Sequence, residues 1–221
     1  MKQLGIVFIG AEGPQPHRLK RLLEDSVAAG ALLAAADSGL ILAEAAGLKP
    51  DWIIGDMDSL AEDRLCSYPP ERVIRHPADK DYTDTELALA LLREKGCEDA
   101  WIAGGGGGRL AHLLGIRDLF EREWFPSRWI TAAEDIYCIE GNGGVTASLE
   151  LDTEPGGLVS VFPLGAGPWK AVSKGLKWPL DNVHWERGLY GLSNTALERK
   201  MTINTGQGRF MIIAEGICRQ H

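Results

Sequence analysis

Acidic and glycine-rich segments recur in the first half of this sequence, and most of them directly follow short apolar runs. The segments are Asp37–Gly39, Gly55–Ser59, Asp79–Asp84 and Gly104–Arg109. If the apolar runs are parallel strands, the segments lie at the carboxyl ends of those strands, the edge of an open sheet where ligands bind. The sequence therefore predicts one polar site built from four separate stretches of chain.

The carboxylates in these segments are spaced for binding a cation. Asp56 and Asp58 are two residues apart, so both side chains point to the same side of an extended chain. Asp81 and Asp84 are three residues apart across a predicted helix start, and can also converge. Gathered carboxylates repel one another unless a cation joins them, and hard oxygen ligands suit Mg²⁺, which also binds substrate phosphates. The spacing therefore predicts a Mg²⁺ site for a phosphate-bearing substrate.

The glycine run Gly104–Gly108 and the Arg109 that follows it favour a phosphate site. Glycine lets backbone N–H groups approach phosphate oxygens near a helix amino terminus, where the helix dipole favours anions. Arg109 would add a fixed cation. Each feature alone has an ordinary explanation, since Asp-x-Asp is common in turns, glycines form flexible loops and Asp84 suits a helix start. Their recurrence at successive strand ends is what favours a site.

Strands alternate with helices over the first part of the chain. Predicted strands are Leu4–Ile9, Ala31–Ala36, Trp52–Ile54, Val73–Arg75, Ala100–Ala103, Trp129–Thr131 and Ile136–Ile139; predicted helices are Pro16–Ala29, Gly39–Ala46, Asp84–Lys95 and His112–Glu123. Thr83 and Glu86 form a capping box before the third of these helices. This alternation predicts an α/β fold with a mostly parallel sheet and helices on both faces.

The pattern changes from about Gly141. Glycines and prolines there separate short apolar runs, namely Val145–Leu151, Leu158–Phe162, Lys200–Asn204 and Arg209–Ala214. Short strands without a long helix predict an all-β sandwich. We therefore predict two domains, residues 1–140 and residues 141–221.

Composition narrows the class of protein. The chain has 221 residues, 45% of them hydrophobic, with a net charge of -8 and no basic block, which argues against a nucleic-acid surface. No apolar run approaches the roughly 20 residues that cross a bilayer, and the amino-terminal run lacks a small-residue cleavage site. The isolated cysteines Cys66, Cys97, Cys138 and Cys218 are typical of reduced thiols in a cytoplasmic protein, and a zinc site is not expected.

The ordered motifs resemble those of the thiamin pyrophosphokinase family. That family carries Asp-Gly-Gly, Pro-Asp, Gly-Asp-Phe-Asp-Ser, Asp-x-Thr-Asp, Gly-Gly-Arg-x-Asp-His, Leu-x-Trp and Ser-Asn in this order. The matching segments here are Asp37–Gly39, Pro50-Asp51, Gly55–Ser59, Asp81–Asp84, Gly107–His112, Leu176–Trp178 and Ser193-Asn194. The match runs from about residue 35 to 215, and the ordered set is far more specific than any single piece.

The resemblance implies a reaction and a set of roles. It implies transfer of diphosphate from ATP to thiamin, giving thiamin diphosphate and AMP, by a homodimer with active sites between subunits. Asp56, Asp58, Asp81 and Asp84 would hold Mg²⁺ and the triphosphate, and Asp37, Gly107, Gly108 and Arg109 would border the nucleotide. Trp178 would stack on the thiamin rings, with Ser193 and Asn194 lining the vitamin pocket.

Three residues depart from the family pattern. Ser38 replaces a glycine, Met57 replaces an aromatic residue, and Ala111 stands where the family has aspartate in Gly-Gly-Arg-x-Asp-His. Ala111 removes one carboxylate, so it bears on the strength or the target of catalysis. The alternatives are a related diphosphokinase acting on another hydroxymethyl acceptor such as a pterin, a non-catalytic thiamin- or nucleotide-binding paralogue, and an unrelated nucleotide-binding sheet.

Overall fold

The computed structural model describes residues 2–216, which form two compact units. The first unit comprises the chain up to Leu119 together with Trp124–Ala132; the second comprises Phe120–Glu123 and the chain from Ala133. The predicted domain boundary between residues 140 and 141 falls inside a long strand of the second unit. Cys218 lies outside the described residues, and no helix among residues 2–216 is long and apolar enough to cross a membrane.

The first unit is built on a parallel sheet. Its elements are β1 (Leu4–Ile9), α1 (Pro16–Ala28), β2 (Leu32–Ala36), α2 (Gly39–Ala45), β3 (Trp52–Gly55), α3 (Glu62–Leu65), β4 (Val73–Arg75), α4 (Asp84–Glu94), β5 (Asp99–Ala103), α5 (Leu110–Leu119) and β6 (Arg128–Ile130). A short 3₁₀ turn, Pro70–Arg72, precedes β4. Strand order is β4-β3-β2-β1-β5-β6. All these neighbours pair in parallel, so their carboxyl ends share one edge.

Helices cover both faces of this sheet because successive residues of a strand point to opposite sides. Ile6 and Phe8 of β1 pack in one core cluster with Leu19 and Leu23 of α1. On the other side, a Cβ added at Gly5 would lie 2.7 Å from the Leu92 side chain of α4. The predicted α/β fold is confirmed for this part of the chain.

The carboxyl ends of three neighbouring strands are level. Ala36 of β2 is the register partner of Ile54 in β3, and Ile54 is the partner of Ile74 in β4. Asp37 and the Gly55–Ser59 segment therefore leave adjacent strands at the same height. The sheet itself brings these two of the four predicted segments to the same edge.

The second unit is antiparallel. Its strands are β7 (Glu134–Asp152), β8 (Leu158–Leu164), β9 (Lys170–Lys174), β10 (Gly191–Thr195) and β11 (Lys200–Glu215), with a 3₁₀ turn at Leu180–Asn182. β11 pairs with β7 over most of its length, with β9 along its first half and with β8 along its second half. The buried core includes Val159, Val161, Ile203, Phe210 and Ile212. The β-rich carboxyl-terminal part of the predicted fold is confirmed.

Two sequence-based element assignments were wrong. The strand predicted at Ile136–Ile139 is the beginning of a much longer strand, β7, which continues across the glycines at 141–144 and pairs antiparallel with β11. A Cβ at Gly141 would lie 2.2 Å from the Thr205 carbonyl oxygen, so this glycine permits close approach of β11 and does not end the strand. The helix predicted at His112–Glu123 ends at Leu119. Just beyond that end, the Arg209 guanidinium donates to the carbonyls of Phe120 and Arg122 at 2.8 and 2.7 Å.

Candidate active site

Asp37 is fixed at the end of β2 by contacts with the end of β3. Its φ of 45° is left-handed, its N–H donates to the Ile54 carbonyl at 2.8 Å, and the Ser59 hydroxyl donates to its Oδ2. A Cβ at Gly55 would lie 3.1 Å from the Asp37 Cβ, so glycine leaves room for this aspartate. The other oxygen, Oδ1, is buried and has no hydrogen-bond partner among residues 2–216. This orphaned acceptor is the kind of group that a cation would satisfy.

Met57 anchors the Asp56–Asp58 segment in the core. Its side chain is 4% exposed and belongs to a cluster with Leu40, Leu60, Leu65 and Tyr68 among others, although its φ is 64°. A left-handed conformation is unfavourable for a residue with a long side chain, and burial offsets that cost. Met57 therefore serves as the apolar anchor where the family has an aromatic residue.

Asp37, Asp56 and Asp58 form one carboxylate group. One oxygen from each lies within 4.8 Å of the others. The Asp58 N–H also donates to Asp56 Oδ1 at 3.1 Å. The negative charge of Asp56 raises the pKa of Asp58, with loss of hydration and the charges of Asp37 and Asp84 acting in the same direction. Like charges held this close favour binding of a cation.

The donor set fits Mg²⁺. Around an octahedral ion with Mg–O distances of about 2.1 Å, ligand oxygens lie about 3 Å apart when adjacent and about 4.2 Å when opposite. The oxygens of Asp37, Asp56 and Asp58 lie within 4.8 Å of one another, a range that includes these separations. Asp58 is exposed, so its side chain is free to adjust to a bound ion.

Asp81 and Asp84 lie outside this group of three. Asp84 is the first residue of α4, whose start is held by the capping box between Thr83 and Glu86. Its Oδ1 is 2.9 Å from the Lys80 ammonium, which also donates to the Pro77 carbonyl. Asp81 is exposed. The structure thus joins Asp56 and Asp58 to Asp37, a residue that the resemblance assigned to the nucleotide, while Asp84 influences the group through its charge.

The glycine loop follows β5 and leads directly into α5. The N–H groups of Gly104 and Gly106 hold the loop, donating to the carbonyls of Ile130 and Glu12 at 2.9 Å each. Among residues 2–216, no group accepts a hydrogen bond from the N–H of Gly107 or Gly108. Arg109 is exposed at the start of α5. These are donors available to an anion at a helix amino terminus.

Sequence reasoning missed two residues beside these segments. Glu12 follows β1, and a Cβ at Gly107 would lie 2.3 Å from its Oε2, so its side chain rests against the glycine loop. It lies at the same sheet edge, and the strand-end rule would have found it. Ser59 orients Asp37. No local signal in the sequence indicates which carboxylate this serine contacts.

The departures from the family pattern have different surroundings. A Cβ at Gly10, the residue after β1, would lie 2.1 Å from Ser38 Oγ, so the glycine at position 10 leaves room for this serine. Ala111 is exposed in the first turn of α5. Nothing in the structure explains why alanine stands there.

Trp178, Ser193 and Asn194 come together in the second unit. The Trp178 side chain is 54% exposed, and the Lys177 ammonium lies 4.6 Å from the centre of its ring. Asn194 is buried and exchanges hydrogen bonds with the backbone of Trp178. Ser193 is exposed, with a φ of 53°. An exposed indole face can stack on a flat, cationic ligand.

The structure defines a protein of two parts: a parallel α/β unit with an acidic site at its carboxyl edge, followed by an antiparallel β unit. Two family descriptions match these parts: "Thiamin pyrophosphokinase, catalytic domain" over residues 23–125 and "Thiamin pyrophosphokinase, vitamin B1 binding domain" over residues 146–210. The chain belongs to the thiamin pyrophosphokinase family.

Individual relatives agree with this assignment. Thiamine pyrophosphokinase of Bacillus subtilis is 28% identical over 181 residues, covering 80% of this chain and 84% of the relative. Thiamine pyrophosphokinase 1 of Arabidopsis thaliana is 29% identical over 173 residues, covering 71% of this chain; the match spans 62% of that relative's length. The crystal structure of the Bacillus subtilis thiamine pyrophosphokinase has the same fold, with a TM-score of 0.75, 23% identity and coverage of 98% of this chain and 100% of that one.

Proposed function

We propose that this protein transfers diphosphate from ATP to thiamin, giving thiamin diphosphate and AMP. The observation that carries the proposal is the group formed by Asp37, Asp56 and Asp58, with one orphaned buried oxygen, in the part of the chain that matches the catalytic domain. The match of residues 146–210 to a vitamin B1 binding domain supports thiamin as the acceptor over a pterin.

The reaction forms one bond and breaks one. The thiamin hydroxyl oxygen attacks the β-phosphorus of ATP, and the bond from that phosphorus to the oxygen bridging it to the α-phosphorus breaks, so AMP leaves with the bridging oxygen. The hydroxyl proton passes to a carboxylate at this edge or to water. Little covalent chemistry is left to the protein, so catalysis rests on positioning and on stabilising charge.

Asp37, Asp56 and Asp58 would hold Mg²⁺, which when bound neutralises charge on the phosphates. We assign Asp81 and Asp84 to the metal that accompanies the triphosphate; the effect of Asp84 on the pKa of Asp58 supports its closeness to the group. The Lys80 ammonium keeps the Asp84 carboxylate in place.

The glycine loop and Arg109 are assigned to the phosphates. The N–H groups of Gly107 and Gly108 would donate to phosphate oxygens, and the guanidinium would pair with them. In the second unit, Trp178 would stack on the cationic thiazolium through its exposed face, and the exposed Ser193 hydroxyl would contact the vitamin.

We further propose that two copies of the chain associate, with active sites between subunits, as the family resemblance implies. Exposed apolar side chains in the second unit, among them Leu189, Tyr190 and Leu192, support association. Light scattering should give twice the 24.0 kDa chain mass. Asp56→Asn chains lack turnover and Trp178→Ala chains have a raised KM for thiamin. If a site takes residues from both subunits, mixing the two should give more activity at low thiamin than the separate preparations added together; a monomer mass with no such gain would overturn this proposal.

A cytoplasmic location is also proposed. The described cysteines Cys66, Cys97 and Cys138 are free thiols. Free thiols are usual in a reducing compartment. Fractionation of cells producing the full chain should recover it with cytoplasmic markers, and recovery elsewhere would contradict the proposal.

Separation of reaction products tests the proposed activity. The protein is incubated with ATP, Mg²⁺ and thiamin, and nucleotides and thiamin species are separated by chromatography. Equal amounts of AMP and thiamin diphosphate support diphosphate transfer, and a hydroxymethyl pterin in place of thiamin serves as the competing acceptor. Thiamin binding without AMP would favour a non-catalytic paralogue.

A further inference from the structure

The Trp178 backbone is held by a side chain where strand pairing ends. Trp178 lies between β9 and the Leu180–Asn182 turn, outside any strand or helix. The preceding residue, Lys177, still donates its N–H to the Thr195 carbonyl at 2.9 Å. At Trp178 the Asn194 side chain replaces a backbone partner. Its Oδ1 accepts the Trp178 N–H at 3.1 Å, and its Nδ2 donates to the Trp178 carbonyl at 2.7 Å.

The hydrogen-bonding groups of the Asn194 side chain are directed to the protein backbone and not to a ligand site. Asn194 is 6% exposed, whereas the Trp178 side chain is 54% exposed. Its Oδ1 also accepts the Thr195 N–H at 2.8 Å, so both acceptor sites of that oxygen are in use. The side chain acts as one donor and one acceptor toward a single residue, as a neighbouring strand would.

We propose that Asn194 is a positioning residue that fixes the indole of Trp178 for stacking on the vitamin, and that it does not contact the vitamin itself. The inference rests on the proposed function and revises the role that the family resemblance implies for Asn194. Both backbone bonds at residue 178 lie next to the Cα that carries the indole, so losing either one lets the ring move. Because Trp178 is more than half exposed, packing holds its ring only in part.

Asn194→Asp is the decisive variant. It is isosteric and keeps an oxygen for the Trp178 N–H, but it places a carboxylate oxygen against the Trp178 carbonyl where a donor stood. We expect the KM for thiamin to rise several-fold, up to the rise caused by Trp178→Ala, because the stacking contact is what is lost. The kcat and the KM for ATP should change by less than about twofold. Asn142→Asp is the matched control: it makes the same change at an exposed asparagine whose Oδ1 accepts the N–H groups of Gly144 and Val145, contacts that aspartate keeps.

A double-mutant cycle separates positioning from direct contact. If Asn194 acts through the indole, Asn194→Asp has no further effect on thiamin KM in a Trp178→Ala background. An equal rise in both backgrounds, or no rise in the otherwise native protein, would overturn the proposal. If Asn194→Asp does not fold, Asn194→Ser, which keeps a small hydrogen-bonding group, is taken through the same cycle.

A ligand-free measurement keeps this inference separate from the proposed activity. The protein is labelled with 5-fluorotryptophan, and the Trp178 ¹⁹F signal is assigned by its loss in Trp178→Phe. Asn194→Asp should shift or broaden that signal while the signals of the other six tryptophans stay in place. An unchanged Trp178 signal refutes the positioning role even if the enzyme is active. A changed signal in a protein that makes no product upholds the positioning and rejects the activity.

Discussion

The substitution Gly39→Ala tests whether the start of α2 must lie against β1 for the carboxylate group to form. An added Cβ at residue 39 would lie 2.1 Å from the Phe8 carbonyl oxygen, 2.4 Å from its carbon and 2.7 Å from the Ile9 nitrogen. All three are backbone atoms of β1, so no side-chain rotation relieves the overlap. The helix start must move instead, and Asp37 lies two residues before it.

The size of the effect follows from that distance. Real Cβ atoms essentially never come closer than 3.0 Å to such atoms, so the helix start must shift by about 1 Å. Overpacking of this kind costs about 1–3 kcal/mol. In a protein of this size, each kcal/mol lowers the Tm by about 2–4 °C. A displacement of about 1 Å in a positioning group can lower turnover about 100-fold.

Thermal unfolding and AMP formation are measured on the same preparations, with Gly115→Ala as the control. Gly115 lies within α5, and a Cβ there meets no atom within 4 Å. Alanine is favoured over glycine in a helix by about 0.5–1 kcal/mol, so the control should raise the Tm slightly and leave turnover unchanged. A Gly39→Ala protein with native Tm and turnover within twofold of native would refute the argument that this contact positions Asp37.

Three further substitutions have defined outcomes. The charge of Asp56 raises the pKa of Asp58 in the folded protein, so repulsion between the two carboxylates destabilises the fold fully at neutral pH and not at all below the unfolded-state pKa. Asp58→Asn should therefore raise the Tm at pH 7 but not near pH 3, while lowering turnover. Lys177→Met removes a cation from the Trp178 ring and should lower the thiamin KM about 2–5-fold, from an exposed cation–π energy of about 0.5–1 kcal/mol. Ala111→Asp adds an acid to the first turn of α5 and should stabilise the fold by about 0.3–1 kcal/mol, seen in thermal unfolding, without abolishing turnover.

Each of these has a contrary result. An Asp58→Asn protein no more stable than native at pH 7 would mean that the carboxylates do not repel one another in solution. A higher thiamin KM for Lys177→Met would mean that the ammonium helps to bind the vitamin. A less stable Ala111→Asp protein would place a negative charge nearby that opposes the helix dipole.

The parallel half was predictable because local signals agree with the fold. Thr83 and Glu86 in sequence indicate the start of α4, and the structure contains the full capping box. Ala36 ends β2 and pairs with Ile54, one residue before the end of β3, so the strand-end rule places Asp37 close to Asp56. Periodicity and turn chemistry carry this information without long-range contacts.

Other features depend on contacts between distant residues. The continuation of β7 across Gly141 depends on the backbone of β11 more than sixty residues later. The two hydrogen bonds between the Asn194 side chain and the Trp178 backbone join residues sixteen positions apart in the chain. That Asp81 lies outside the carboxylate group depends on how the chain runs between β4 and α4. None of these is written in a local pattern.

The most direct test of the account is the turnover of Asp56→Asn and Asp58→Asn, measured as AMP released with ATP, Mg²⁺ and thiamin. Asp25→Asn, an exposed carboxylate on α1, is the matched control. The account predicts that both site variants remain folded by thermal unfolding and lose AMP and thiamin diphosphate formation, while the control keeps both. Near-native turnover in both site variants would contradict the claim that these carboxylates carry the reaction.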